Sequence, residues 1–257
     1  MAEHKSNIRL SIVIISWNSL SSLRPCLKSI GGLLDRTDTE LIWVDNGSSD
    51  GAASYVAEHY PDTHTVLLPE NRGVAAARNE GLRRARGEKI LFLDDDTEAS
   101  AEAIDTMTRY MDEHPQAGIV ACALRNAQGE LQNSFKPYPG LGVKITNILR
   151  SKLGLPQTKT VLPDKPVEPC YVIGACQLLR HEMVERIGEL DQAIFYGPED
   201  ADYCIRARRA GYRVVYLPQV SIMHHWRRIT SRSLSSATSR RHIAGLLHFW
   251  RTHRRIF

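Results

Sequence analysis

Short apolar runs alternate with amphipathic stretches along the first half of the chain. Residues 10–16 (LSIVIIS), 40–44 (ELIWV), 64–68 (HTVLL) and 89–93 (KILFL) are β-branched or apolar and bounded by turn formers, so each predicts a strand. Between them, Leu20, Leu23, Leu27, Ile30 and Leu34 share one helical stripe. Val74, Ala77, Gly81, Leu82 and Ala85 share another, with Gly87 as its expected C-cap. Further strands are expected at 118–123 and 213–217. Such alternation implies right-handed crossovers and an α/β fold: a mainly parallel sheet flanked by helices.

That topology locates a site before any side chain is considered, because ligands of open parallel sheets bind beyond the carboxyl ends of the strands. Ser16-Trp17-Asn18 follows the first strand and Asp45-Asn46-Gly47-Ser48-Ser49-Asp50 the second. Glu70-Asn71-Arg72-Gly73 follows the third and Asp94-Asp95-Asp96 the fourth. Four polar clusters at one edge make a site. The segment 126–169 is rich in proline and weakly patterned, the character of a functional loop, and is expected to act as a lid and acceptor wall.

Composition adds an asymmetry. The net charge of +4 combines residues 1–202, with a net of −8, and residues 203–257, which hold twelve arginines, no lysine and no acid. In this basic end Ile243, Leu246, Leu247 and Trp250 fall at i, i+3, i+4 and i+7, ringed by Arg240, Arg241, Arg251, Arg254 and Arg255. The pattern predicts a basic amphipathic helix in a separate tail, 226–257, suited to an anionic membrane surface. No secretory signal or apolar run of membrane-spanning length is visible, so the expected location is cytoplasmic, peripheral on the inner face of a membrane. Five cysteines without a C-x-x-C pair argue against a disulfide framework and against structural zinc.

Each cluster has a chemical and a plainer structural reading. Three adjacent carboxylates at the end of ILFL repel one another, and a hard divalent cation relieves that repulsion. Alternation along a strand end lets Asp94 and Asp96 serve one site while Asp95 faces elsewhere. The structural alternative is an acidic turn capping a helix that starts near Ala101. In WVDNGSSDG, Asp45 is a candidate acceptor for a base or ribose, whereas Asp50 suits a helix cap. In ENRGVAAARNEG, Gly73 opens an alanine-rich helix with Arg72 and Arg78 near the expected diphosphate, or else the small residues serve only close packing. Glu199, Asp200 and Asp202 begin a helix that ends in Arg206, Arg208 and Arg209, which suits the helix dipole equally well as general-base chemistry. His224-His225 is either a structural pair or a source of one neutral imidazole ligand.

Taken together, SIVIISWN, VDNGSSDG, ENRGVAAARNEG, KILFLDDDT, IGACQLLR, GELDQAIFYGPEDADYCIRARRAGYRV and VSIMHH, in this order, resemble the family 2 inverting glycosyltransferases of the GT-A (nucleotide-diphospho-sugar transferase) fold. The resemblance is strongest to the bacterial rhamnosyltransferase-like branch, which GELQNSFKPYPG also resembles, and runs from about Leu10 to His225. It implies a transferase domain over 1–225, with a nucleotide-binding half to about 123 and an acceptor half from about 124. It implies that Ser16, Trp17, Asn18 and Asp45 hold the nucleobase, that Asp94 contacts the ribose, and that Asn71, Arg72 and Asp95 complete the donor side. Asp96 and His224, with His225 beside it, would hold Mn2+ or Mg2+. Asp200 would be the catalytic base, with Glu199 adjacent. The implied donor is a UDP- or dTDP-sugar, with rhamnose a candidate, and the acceptor a glycan or polyprenyl-linked glycan. A homo-oligomer is compatible with all of this.

Rival readings are weaker on the residues. A nucleotidyltransferase needs a phosphate-binding glycine loop that IISWNSLSS lacks, and a dinucleotide oxidoreductase needs G-x-G-x-x-G after the first strand. A catalytically weak protein that only binds nucleotide sugar or anionic lipid would have no use for both Asp96 and Asp200. Nucleic-acid binding by the arginines is the remaining alternative, less favoured because the tail also carries an apolar stripe.

Overall fold

The computed structural model describes residues 8–140, 161–225 and 237–253. The centre of the proline-rich segment, 141–160, and the first part of the basic tail, 226–236, lie outside the described residues, and the expected lid falls partly there.

Four strands, β1 (Leu10–Ser16), β2 (Thr39–Asp45), β3 (His64–Leu67) and β4 (Lys89–Asp94), pair in parallel in the order β3-β2-β1-β4. Their register is nearly level: Ser16 lies opposite Asp45 and Ile15 opposite Asp94. The polar clusters that follow these strands therefore emerge at one edge. The sheet continues through β5 (Thr97–Glu98), β6 (Ala117–Arg125), β9 (Cys176–Arg180) and β10 (Arg213–His224), while β7 (Phe135–Lys136) and β8 (Tyr171–Val172) form a separate antiparallel pair.

The sheet is more mixed than the alternating pattern predicts. β9 lies antiparallel between β4 and β6, and β5 pairs antiparallel with the end of β10. The reason is the route of the chain. It leaves β6 at the carboxyl edge and enters β9 from that same edge, so β9 must run back. β10 is also longer than expected, because the pattern breaks at Pro218 while pairing with β6 resumes at Ser221 after a register shift. This extension carries His224 to a position opposite Thr97.

Adjacent strand residues feed two cores. Ile12, Ile14 and Trp43 pack with Leu23 and Leu27 of α1 (Leu20–Ser29) and with Ile104 and Met107 of α5 (Ala101–Glu113). In chain order, α2 (Gly31–Leu34), α3 (Ala52–His59) and α4 (Val74–Leu82) fall between α1 and α5. On the other face Val13, Ile42 and Phe92 pack with Ala75 and Ala77 of α4 and with Ala201 and Tyr203 of α7 (Glu199–Arg209), which follows α6 (His181–Ile187). Helix α4 stops at Leu82, earlier than its stripe predicts. Gly87 is not its cap but a close-packing point, where a Cβ would lie 2.6 Å from the Ser11 nitrogen.

Residues Ala237–His253 form a helix, α8, which packs back on the body. Phe249 is fully buried, Leu246 is buried, and the Trp250 indole N–H donates to the Pro139 carbonyl at 3.0 Å. Only part of the predicted stripe faces outward: Ile243 is 47% and Leu247 54% exposed. Among the described residues no helix is long and apolar enough to cross a membrane.

Candidate active site

At the carboxyl edge the loops after β1 and β2 are laced together. The Asn18 N–H donates to Ser48 Oγ at 2.9 Å, and the Ser49 N–H donates to Asn18 Oδ1 at 2.9 Å. Asp50 accepts from the Leu20 N–H at 2.7 Å and the Ala52 N–H at 3.2 Å, so it caps α1 and α3 together. Ser16 accepts the Trp43 indole N–H through its hydroxyl at 2.9 Å, and Asp45 is buried, taking the Ser48 N–H at 3.0 Å. Trp17 is 51% exposed, an aromatic face available to a ligand at this edge. Asn46 donates to Asn71 Oδ1 and accepts from the Arg72 N–H, joining the second and third loops. Asn71 in turn accepts the Gly73 N–H at 2.9 Å, building the entry to α4. The Arg72 side chain points to Glu80 at 3.6 Å.

Alternation at the end of β4 parts the acidic triplet. The Ser19 hydroxyl donates to Asp95, whereas Asp94 and Asp96 face His224, and these three residues each present one ligand atom within 4.8 Å of the others. His224 Nε2 lies 3.4 Å from Asp96 Oδ1 and its Nδ1 2.6 Å from Gln132 Oε1. Gln132 also donates to the His224 carbonyl at 2.8 Å, gripping the residue at both ends. With Gln132 Oε1 accepting, Nδ1 carries the hydrogen and Nε2 is the nitrogen turned toward Asp96. Burial opposes charge on this imidazole, but the Asp96 carboxylate outweighs it and raises its pKa. His225 turns away to Glu98 at 2.6 Å. An oxygen–nitrogen donor set of two carboxylates and one oriented imidazole fits Mn2+ or Mg2+.

The second acidic pair meets the first through Arg78. This buried guanidinium donates to Asp94 Oδ1 at 2.7 Å and the Gly174 carbonyl at 2.8 Å, and lies 3.9 Å from Glu199 Oε1. A Cβ at Gly174 would meet this guanidinium, so a larger residue there would push it from its place. Burial raises the Glu199 pKa to about 7, the neighbouring Asp200 adds to this, and Arg78 works against it. Burial also raises Asp200, opposed by the Ala201 N–H, which donates at 2.7 Å, and by the Lys136 and Arg78 charges. Both members are therefore pushed toward the neutral form, and Asp200 lies in the first turn of α7, where the helix dipole favours its charged form. Asp202, the third acid, is committed elsewhere: Arg206 Nε and His253 Nε2 reach it at 2.8 Å and 2.7 Å.

Tyr196 completes the group. Burial and the carboxylates of Glu199, Asp94, Asp200 and Asp96 together push its phenol up to about 12. Pattern reading passed over Gln132, Gly174 and Tyr196 and left Arg78 without its partners. Gln132 sits in the weakly patterned segment, and nothing local marks a residue that acts by gripping another 92 positions away.

The sequence matches glycosyl transferase family 2 over residues 11–188. It is 24% identical to the N-acetylglucosaminyl-diphospho-decaprenol L-rhamnosyltransferase of Mycobacterium tuberculosis, across 91% of this chain and 81% of that protein. It is 25% identical to the dTDP-rhamnosyl transferase RfbF of Shigella flexneri, across 85% of this chain and 69% of that one. The fold is similar to that of the mannosyltransferase PcManGT from Pyrobaculum calidifontis, solved with GDP-Man and Mn2+, at a TM-score of 0.59 and 20% identity. That alignment covers 86% of this chain and 58% of the mannosyltransferase.

Proposed function

This chain belongs to glycosyl transferase family 2, and from that premise we propose that it transfers a sugar with inversion from a nucleoside-diphosphate donor to a hydroxyl of a lipid-linked glycan. dTDP-rhamnose is the first donor to test and a polyprenyl-diphosphate glycan the first acceptor, on the strength of the two rhamnosyltransferase relatives. One observation carries the reading: Arg78 ties Asp94, of the Asp94–Asp96–His224 group, to Glu199 beside Asp200. Donor-side carboxylates and a candidate base are thereby held in one site.

In this proposal Asp200 takes the proton of the acceptor hydroxyl as its oxygen attacks the anomeric carbon. Burial raises Asp200 and so strengthens it as a base, and the raised Glu199 beside it carries less than a full negative charge near neutrality. Trp17, exposed at this edge, would receive the nucleoside with Asn18 and Asp45, and Ser16 and Asn71, bonded to Trp43 and Gly73, shape that surface from behind. Arg72 stands at the α4 entry with its side chain turned to Glu80, 3.6 Å away, and would reach the diphosphate by swinging from it. Asp95 fixes the first loop through Ser19. Asp96, His224 and Asp94 would hold a divalent cation, which when bound neutralises charge on the leaving diphosphate. The outward residues Arg240, Ile243, Leu247 and Arg251 lie at i, i+3, i+7 and i+11, a basic and apolar face on which the enzyme would rest against an anionic membrane.

The test is a thermal-shift panel of UDP, dTDP, GDP and their sugar conjugates with Mn2+ or Mg2+, followed by transfer assays. A bound diphosphate at a hundredfold excess over its Kd stabilises by about 2.7 kcal/mol. Metal-dependent stabilisation is expected in the wild type, absent in Asp96→Ala and retained in Asp200→Asn, whose transfer rate falls about 10²–10⁴-fold. Stabilisation by no nucleotide, or full turnover by Asp200→Asn, would overturn the proposal.

A further inference from the structure

Residues 195–198 lead directly into Glu199 and Asp200, and they are held between two helices. On the inner side the Phe195 carbonyl accepts the Val74 N–H at 2.9 Å, and the Phe195 ring packs so close to Gly73 that a Cβ there would lie 2.8 Å from it. On the outer side stands α8. Arg241 lies 4.0 Å over the Phe195 ring centre, and His242 Nδ1 is 3.1 Å from both the Tyr196 and the Gly197 carbonyls. Both partners are acceptors, so Nδ1 carries the hydrogen and is shared between them. Gly245 lets the helix approach: a Cβ there would sit 3.0 Å from the Gly197 oxygen.

The helix itself is anchored independently of that turn. Phe249 is buried in the core, Trp250 donates to Pro139, His248 Nε2 lies 2.7 Å from Asp191, and His253 lies 2.7 Å from Asp202. A rigid element thus grips two backbone carbonyls immediately before the acidic pair. We propose that α8 is part of the catalytic apparatus and that His242 is a positioning residue, fixing the Tyr196–Gly197 turn so that Asp200 meets the acceptor hydroxyl. It touches neither donor nor acceptor. Its importance follows from the steep dependence of rate on geometry, where a misplacement of about 1 Å costs about 10²-fold.

This inference rests on the reading of Asp200 as the base. The experiment compares His242→Ala, His242→Asn and the control Thr252→Ala in the full chain. Three quantities are measured: kcat and KM for transfer, metal-dependent stabilisation by the nucleoside diphosphate, and backbone hydrogen exchange of residues 195–203. In His242→Ala we expect kcat to fall about tenfold to a hundredfold with donor KM and nucleotide stabilisation unchanged, and exchange in 195–203 to quicken. His242→Asn, whose amide nitrogen can occupy the place of Nδ1, restores most of both, and Thr252→Ala behaves as wild type. Wild-type kcat and exchange in His242→Ala would overturn the proposal, as would a loss of kcat matched by loss of nucleotide stabilisation and not rescued by Asn. If the wild type transfers no sugar, the reading of Asp200 fails instead, and the exchange measurement still decides whether α8 holds the turn.

Discussion

At the scale of single residues the site depends on groups that adjust one another. Glu199 keeps its proton to about pH 7 in the folded protein, against an ordinary value of 4.5. The folded state therefore binds more protons than the unfolded chain between those values. The contribution of Glu199 is fully present below 4.5 and is lost as pH rises through 7. Asp200 is displaced in the same direction. Thermal unfolding of the metal-free protein from about pH 5 to about pH 8 should show this decline, and Glu199→Gln should flatten it. An unchanged slope in the variant would mean that the raised carboxyl lies elsewhere. Gln132 permits a second check at this scale. Removing its oxygen in Gln132→Leu frees the His224 ring to change tautomer, so Mn2+ affinity, read by thermal-shift titration, should weaken about 10–100-fold. These residues were unevenly legible. The Asp94–Asp96 alternation follows from β geometry alone, whereas the grip of Gln132 on His224 and the span of Arg78 depend on partners far away in sequence.

At the scale of elements, the parallel half of the sheet and its two flanking layers follow from periodicity. β1 forms at the expected bounds, and β2, β3 and β4 differ by a residue or two at their ends. The direction of β9 could not be read, because CQLLR is a short, largely buried strand whose pattern is the same in either direction. Helix α4 shows how packing and site are joined. A Cβ at Gly81 would collide with Val13 of β1, so small residues let this helix sit close enough to present Arg78 to Asp94. Gly81→Ala should lower stability by about 1–3 kcal/mol, measured by urea unfolding. Because the strain falls on the seat of α4, the same variant should weaken nucleotide stabilisation. Wild-type stability would show that α4 has room to shift.

At the scale of the whole molecule, the chain's charge asymmetry acquires a structural form. The basic helix is seated on the body, with Phe249 inward and Ile243 and Leu247 outward between Arg240 and Arg251. The proposed membrane face is therefore narrower than the stripe suggests, since Leu246 and Trp250 are spent on the fold. Co-sedimentation with phosphatidylglycerol vesicles should be lost in the double variant Ile243→Ser with Leu247→Ser and weakened by salt, with little binding to phosphatidylcholine. Undiminished binding of the double variant would remove this face from consideration.

The sequence by itself determined the strand–helix alternation, the convergence of four polar loops and the family, because these depend on periodicity and on the order of local motifs. Tertiary structure decided which histidine faces Asp96, which arginine joins the two acidic pairs, and where the arginine-rich helix spends its apolar side. Those outcomes arise from strand register, burial and hydrogen bonding between residues distant in the chain. No local pattern encodes them, since each depends on which surfaces the completed fold brings together.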